Sequence, residues 1–111
     1  LTLARSVVRA LEDKKAEEIL LLEIQGRCSF ADYFVICSAS SDRMLHAVKE
    51  TVVETGHKEY RMPARIEGRA EHGWVPVDLG SAIVHILAPD RREYYNLGDF
   101  WKEVKVVVHI Q

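Results

Sequence analysis

The stretch Trp74-Val75-Pro76-Val77-Asp78-Leu79-Gly80-Ser81-Ala82-Ile83-Val84-His85-Ile86-Leu87 decides the fold. Two strand-like runs, Trp74 to Leu79 and Ala82 to Leu87, are separated by Gly80-Ser81, and glycine at the first central position is what a type II′ two-residue turn requires. That turn sets the register. Leu79 pairs with Ala82, Val77 with Val84 and Val75 with Ile86, so one face of the hairpin carries six apolar residues and belongs to a core. The other face sets Trp74 across from Leu87, Pro76 across from His85 and Asp78 across from Ile83, a mixture unlike an ordinary solvent face. Pro76 falls in a non-hydrogen-bonded pair, so the N–H it lacks would have pointed away from the partner strand, toward an expected sheet edge. Two readings of this face stand open. Trp74, Pro76 and Asp78, next to Leu79 at the turn, could offer an aromatic anchor and a nearby charge to another protein, or the first or third helix could cover them.

Outward from the hairpin the chain alternates strands and helices. Leu3, Val7 and Leu11, with Ala4 and Val8 beside them, predict an amphipathic helix over residues 1–14, and the charged run from Glu12 to Glu18 reads as its solvated end or turn. Ile19 to Ile24 and Tyr33 to Cys37 read as strands, the second buried on both faces. Ser41 is a suitable N-cap with Asp42 in the first turn, and Leu45, Val48 and Val52 follow at helical spacing until Gly56 is expected to end the helix. The polar stretch His57 to Gly73 predicts a connection with at most a short strand near Arg65 to Glu67. After Pro89, Asp90 to Tyr95 suits a short third helix; Leu97, Phe100 and Trp101 form an aromatic cluster that would pack it on the sheet. Val104 to Ile110 is strand-like, with no partner that the sequence assigns. The sum is an α/β (α+β) fold in one domain over residues 1–111, a mixed sheet of about five strands flanked by helices.

Composition excludes several function classes. Hydrophobic residues make up 48% and charged residues 29% of the 111, an ordinary globular balance that argues against disorder. No apolar run approaches the roughly 20 residues of a membrane span. Lys and Arg number 15 against 17 Asp and Glu, so the basic surplus that displaces phosphate counterions is missing and no direct sequence-specific nucleic-acid binding is expected. Cys28 and Cys37, without CxxC spacing, are expected to be reduced thiols. The compartment expected is cytoplasm, although a chain beginning at Leu1 without Met leaves an upstream organelle-targeting segment open.

Chemistry finds no anchor. A two-metal transfer site needs paired carboxylates such as Asp-x-Asp, and no such pair follows Asp78 along Ala82 to Leu87. His46, His57, His72, His85 and His109 lack metal-ligand spacing, and Asp78, Ser81 and His85 do not form a triad, because Ser81 sits in the turn itself. Gly68, Gly73 and Gly80 match no phosphate loop. No catalytic residue, metal or cofactor is expected.

Leu11-Glu12-Asp13-Lys14-Lys15-Ala16, Ser29-Phe30-Ala31-Asp32-Tyr33-Phe34-Val35-Ile36 and Ser40-Ser41-Asp42-Arg43 resemble the ribosomal silencing factor family, also called Iojap-like. So do Glu67-Gly68, Gly73-Trp74-Val75, Val77-Asp78-Leu79-Gly80, Val84-His85-Ile86 and the closing Tyr95, Leu97 and Trp101, in order and approximate spacing over about Leu3 to Trp101. The resemblance implies a sheet similar to the nucleotidyltransferase core without its catalytic acids. It also implies a translational repressor that binds the large ribosomal subunit through its protein fourteen and blocks joining of the small subunit by steric exclusion. A large-subunit assembly factor using the same surface is the alternative, and a nucleotide-acting enzyme follows from fold analogy alone. Carried over by position, the contact surface comprises Trp74, Asp78, Leu79, Tyr95 and Leu97. Pro76 and Ser81 depart from the family pattern, which usually has an aliphatic residue and an acid there, and the tail after Trp101 runs past its usual end. An exposed edge strand would also allow a homodimer.

Overall fold

The computed structural model describes residues 2–24, 31–61, 63–66, 73–90 and 105–110. The elements run α1 (Thr2–Asp13), β1 (Glu17–Glu23), β2 (Tyr33–Ser38), α2 (Asp42–Tyr60), β3 (Arg65–Ile66), β4 (Trp74–Asp78), β5 (Ala82–Leu87) and β6 (Lys105–Ile110). Among the described residues one mixed sheet contains six strands, where the sequence leads one to expect about five, in the order β3-β4-β5-β2-β1-β6. The sixth is the tail strand β6, which pairs antiparallel with β1 from Ile19↔Ile110 to Glu23↔Lys105. Among the described strands only β2 and β5 run parallel, Tyr33 beside Ala82 through Ser38 beside Leu87, and α2, β3 and β4 lie between them in the chain.

Local chemistry sets the helix ends. Lys15 adopts φ 60° after α1, its N–H donates to the Glu12 carbonyl at 2.9 Å, and the Ala16 N–H donates to the Leu11 carbonyl at 3.0 Å. This is a Schellman closure, with a lysine in the left-handed place glycine usually takes. Ser41 caps α2 as expected, its Oγ accepting the Met44 N–H at 3.1 Å. The far end differs from expectation. Gly56 is buried inside α2, and the helix continues to Tyr60 because Arg61, with φ 51°, supplies the left-handed cap and donates its N–H to the His57 carbonyl at 3.1 Å. That extra turn carries Tyr60, whose hydroxyl donates to the Thr2 carbonyl at 3.2 Å and lies 2.7 Å from the buried Ser6 Oγ, tying α2 to α1.

The two helices pack on one face of the sheet. Leu3, Val7 and Leu11 of α1 and Leu45, Val48 and Val52 of α2 bury against Ile19, Leu21, Val35, Val75, Val77, Val84 and Ile86 in the main core. The six hairpin residues expected on this face all belong to it. The opposite face has a smaller core of Leu22, Ile24, Ala31, Ile36, Ile83 and Leu87, so β2 is buried on both sides. Burial at about 25 cal/mol per Å² of apolar surface is what holds both layers. No helix among the described residues is long and apolar enough to cross a membrane.

Candidate functional site

The hairpin register matches the reading from sequence at every pair. Trp74 stands opposite Leu87, Val75 opposite Ile86, Pro76 opposite His85, Val77 opposite Val84 and Asp78 opposite Ile83, and the Leu79 N–H donates to the Ala82 carbonyl at 2.9 Å. Gly80 has φ 90°, the positive φ that a type II′ turn requires. Asp78 Oδ1 accepts the Gly80 N–H at 2.8 Å, so this carboxylate also shapes the turn. Beyond it, the Ser81 carbonyl accepts the N–H groups of Asp32 and Tyr33 at 2.8 and 3.1 Å, fastening the start of β2 to the turn.

The pleat sorts the expected contact residues. Trp74 is 37% exposed, Pro76 and Asp78 are half-buried, and all three share one face of β4, while Val75 and Val77 point into the main core. Leu79 is 0% exposed and lies in that core too, which corrects its placement on the contact surface: the alternation that exposes Trp74 and Asp78 buries Leu79 under the helices. Tyr95 and Leu97 lie outside the described residues, as do most of the expected third helix and the aromatic cluster. Neither α1 nor α2 covers the Trp74 face, because both pack on the other side.

Pro76 does not mark the sheet edge. Strand β3 pairs outside β4, Arg65 opposite Asp78 and Ile66 opposite Val77, so the edge on this side is a strand of two residues. The ladder spans Asp78 and Val77, and Pro76 follows next along β4 with no N–H to extend it. Paired residues share a face, so the exposed Arg65 joins Asp78, Pro76 and Trp74 there. The sequence reading had not included it, since two residues give no periodicity to recognise.

Behind Trp74 lies His85, 7% exposed. The Trp74 Nε1–H donates to His85 Nδ1 at 3.2 Å, with the two rings inclined at 24° and their centroids 6.0 Å apart. Phe34 meets the imidazole edge-on, centroids 4.7 Å apart and planes at 68°. Accepting at Nδ1 assigns the proton of the neutral ring to Nε2. Burial among apolar neighbours pushes the His85 pKa down to about 4.

A second concavity, of about 440 Å³, is lined by Lys14, Glu50, Thr51, Glu54, Thr55 and Lys58 between the end of α1 and the outer side of α2. Its Lys58 Nζ and Glu54 Oε1 are 2.8 Å apart and exposed, each favouring the charged form of the other. Its one buried polar side chain among those named, Thr55, donates its hydroxyl back to the Thr51 carbonyl at 2.8 Å within α2. Among the described residues no three His, Cys, Asp or Glu side chains come together as metal ligands, and Cys37 is buried.

The site is a preformed aromatic and acidic surface on a hairpin. A sequence model described as "Ribosomal silencing factor during starvation" matches residues 1–111. The chain belongs to the ribosomal silencing factor family. It is 39% identical over 92 residues to the ribosomal silencing factor RsfS of Bacillus subtilis, covering 83% of this chain and 78% of that one. A mouse relative named "Mitochondrial assembly of ribosomal large subunit protein 1" is 34% identical over 98 residues, which are 86% of this chain and 43% of that longer protein. The fold matches the crystal structure of a Chromobacterium violaceum protein with a TM-score of 0.81 at 26% identity, over 96% of this chain and 91% of the other. Trp74 and Val77-Asp78-Leu79-Gly80, among the residues that carry the resemblance, lie in the hairpin that bears this surface.

Proposed function

We propose that this chain is a translational repressor that docks on the large ribosomal subunit, through the subunit's protein fourteen, and keeps the small subunit from joining. The observation that carries the reading is Trp74: a large aromatic, 37% exposed, fixed by a hydrogen bond to His85, with Pro76, Asp78 and Arg65 on the same face. A rigid, partly exposed aromatic beside opposite charges is the anchor type on which protein interfaces concentrate their binding energy. Family membership supports the ribosome as the partner, and blockage by bulk needs no catalytic group. The bacterial relatives support a cytoplasmic setting for this role.

The test is co-sedimentation of the protein with purified large subunits, followed by addition of small subunits. Binding that prevents joining is expected. Trp74→Ala should keep the fold and lose at least about thirtyfold in affinity, the scale of an aromatic hot spot. An unfolded Trp74→Ala protein would make Trp74 a core residue, and a wild-type protein that stays in the supernatant would sink the reading. The name of the mouse relative favours a second role, assembly of the large subunit from the same surface. Unchanged precursor particles after depletion would count against that role.

A further inference from the structure

We propose that His85 is the positioning residue for docking: it holds the Trp74 indole in its binding orientation through the Nε1–H···Nδ1 hydrogen bond. This rests on the docking reading above. Trp74 opens β4 and pairs with Leu87, so its contact with His85 is a cross-strand diagonal, within reach only of long or aromatic side chains. A tryptophan exposed at a strand end would otherwise sample several rotamers, and ordering it on association weakens binding. Here the indole is oriented beforehand by a directional bond at 3.2 Å and by the stacked imidazole.

His85 is itself held. It sits in the middle of β5, between β4 and β2, opposite Pro76 on one side and beside Ile36 on the other. Phe34 packs edge-on against its ring. Only the neutral imidazole has a lone pair for the indole, and burial among apolar neighbours keeps it neutral. A phenylalanine or leucine in its place would fill the layer but leave the indole N–H with no acceptor there. The buried histidine thus acts through the tryptophan without touching the partner.

The indole ¹H–¹⁵N resonance of Trp74, identified by its loss in Trp74→Phe, reports the bond directly, and binding to isolated large subunits reports its use. In His85→Phe that resonance is expected to shift and exchange faster with solvent, and affinity to fall about tenfold, the worth of one hydrogen bond. His85→Asn, whose Oδ1 stands near the place of Nδ1, should recover most of both. Trp74→Phe leaves His85 in place but has no N–H to donate, and is expected to lose affinity by a similar factor even if His85→Phe fails to fold. A folded His85→Phe protein with an unchanged resonance, or a shifted resonance with unchanged affinity, would overturn the proposal. If wild-type protein itself does not bind, the docking reading falls and this role falls with it, while the resonance still tells whether the bond exists.

Discussion

At neutral pH the imidazole of His85 is uncharged, and the energetic consequence lies on the acid side. The folded chain resists protonation there, the pKa being lowered from 6.5 to about 4 by burial, whereas the unfolded chain takes the proton at the ordinary value. Between those values the unfolded state binds more protons, so stability is fully present above pH 6.5 and is lost as pH falls toward 4. A shift of that size corresponds to about 3 kcal/mol. Urea unfolding of wild type and of His85→Phe at pH 7, 5 and 4 should show a steeper acid loss in the wild type; parallel losses would assign the acid sensitivity to other groups. At this scale the shared face of Trp74 and Asp78 was legible from the pleat alone. Leu79 was not settled by the family resemblance, and the register, which set it opposite Ala82, had it right. The link from Trp74 to His85 escaped because a diagonal contact depends on side-chain rotamers, which strand periodicity does not contain.

Among the elements, the sheet borders explain both the successes and the misses. The hairpin could be read residue by residue because a two-residue turn with glycine first leaves a single register. The sequence places strands near Arg65 to Glu67 and over Val104 to Ile110 without assigning them neighbours, so the order of strands at the sheet borders came only with the structure. Those edges change which strand is shielded: β4 is lined by β3, and β1 is lined by β6. Strand β1 contributes Ile19, Leu21 and Leu22, all buried, to the two cores. Its outer backbone groups are satisfied by β6, whose own outward position carries Val106 at 52% exposure and the exposed His109. Deleting residues 105–111 would bare the backbone of β1, an edge of seven residues in place of the six-residue β6. Sedimentation velocity over rising protein concentration should then show self-association of the truncated chain beyond any shown by the full one. Equal behaviour of the two would mean that β6 contributes pairing without protecting β1.

For the whole molecule the question is which surface of the ribosome it meets. The chain carries a formal charge of -2, and the face proposed for docking combines Trp74, Pro76, Asp78 and Arg65 among the described residues. A protein that neutralises 6–10 phosphates loses roughly 10³- to 10⁵-fold in affinity between about 50 and 200 mM salt, because each contact releases counterions. Docking on a ribosomal protein through Trp74 has no such requirement, since most of its free energy comes from desolvating an aromatic surface. Affinity for the large subunit, measured by sedimentation at those two salt concentrations with magnesium held constant, is therefore expected to fall by less than about tenfold. A body measuring 33 × 32 × 23 Å, attached by one face of its sheet, would then exclude a second subunit by volume, and inhibition of joining should follow occupancy at both salt concentrations. A thousandfold loss with salt would instead put the main contacts on ribosomal RNA, and Trp74→Ala would then weaken binding by the same factor at either concentration while leaving the steep salt dependence unchanged.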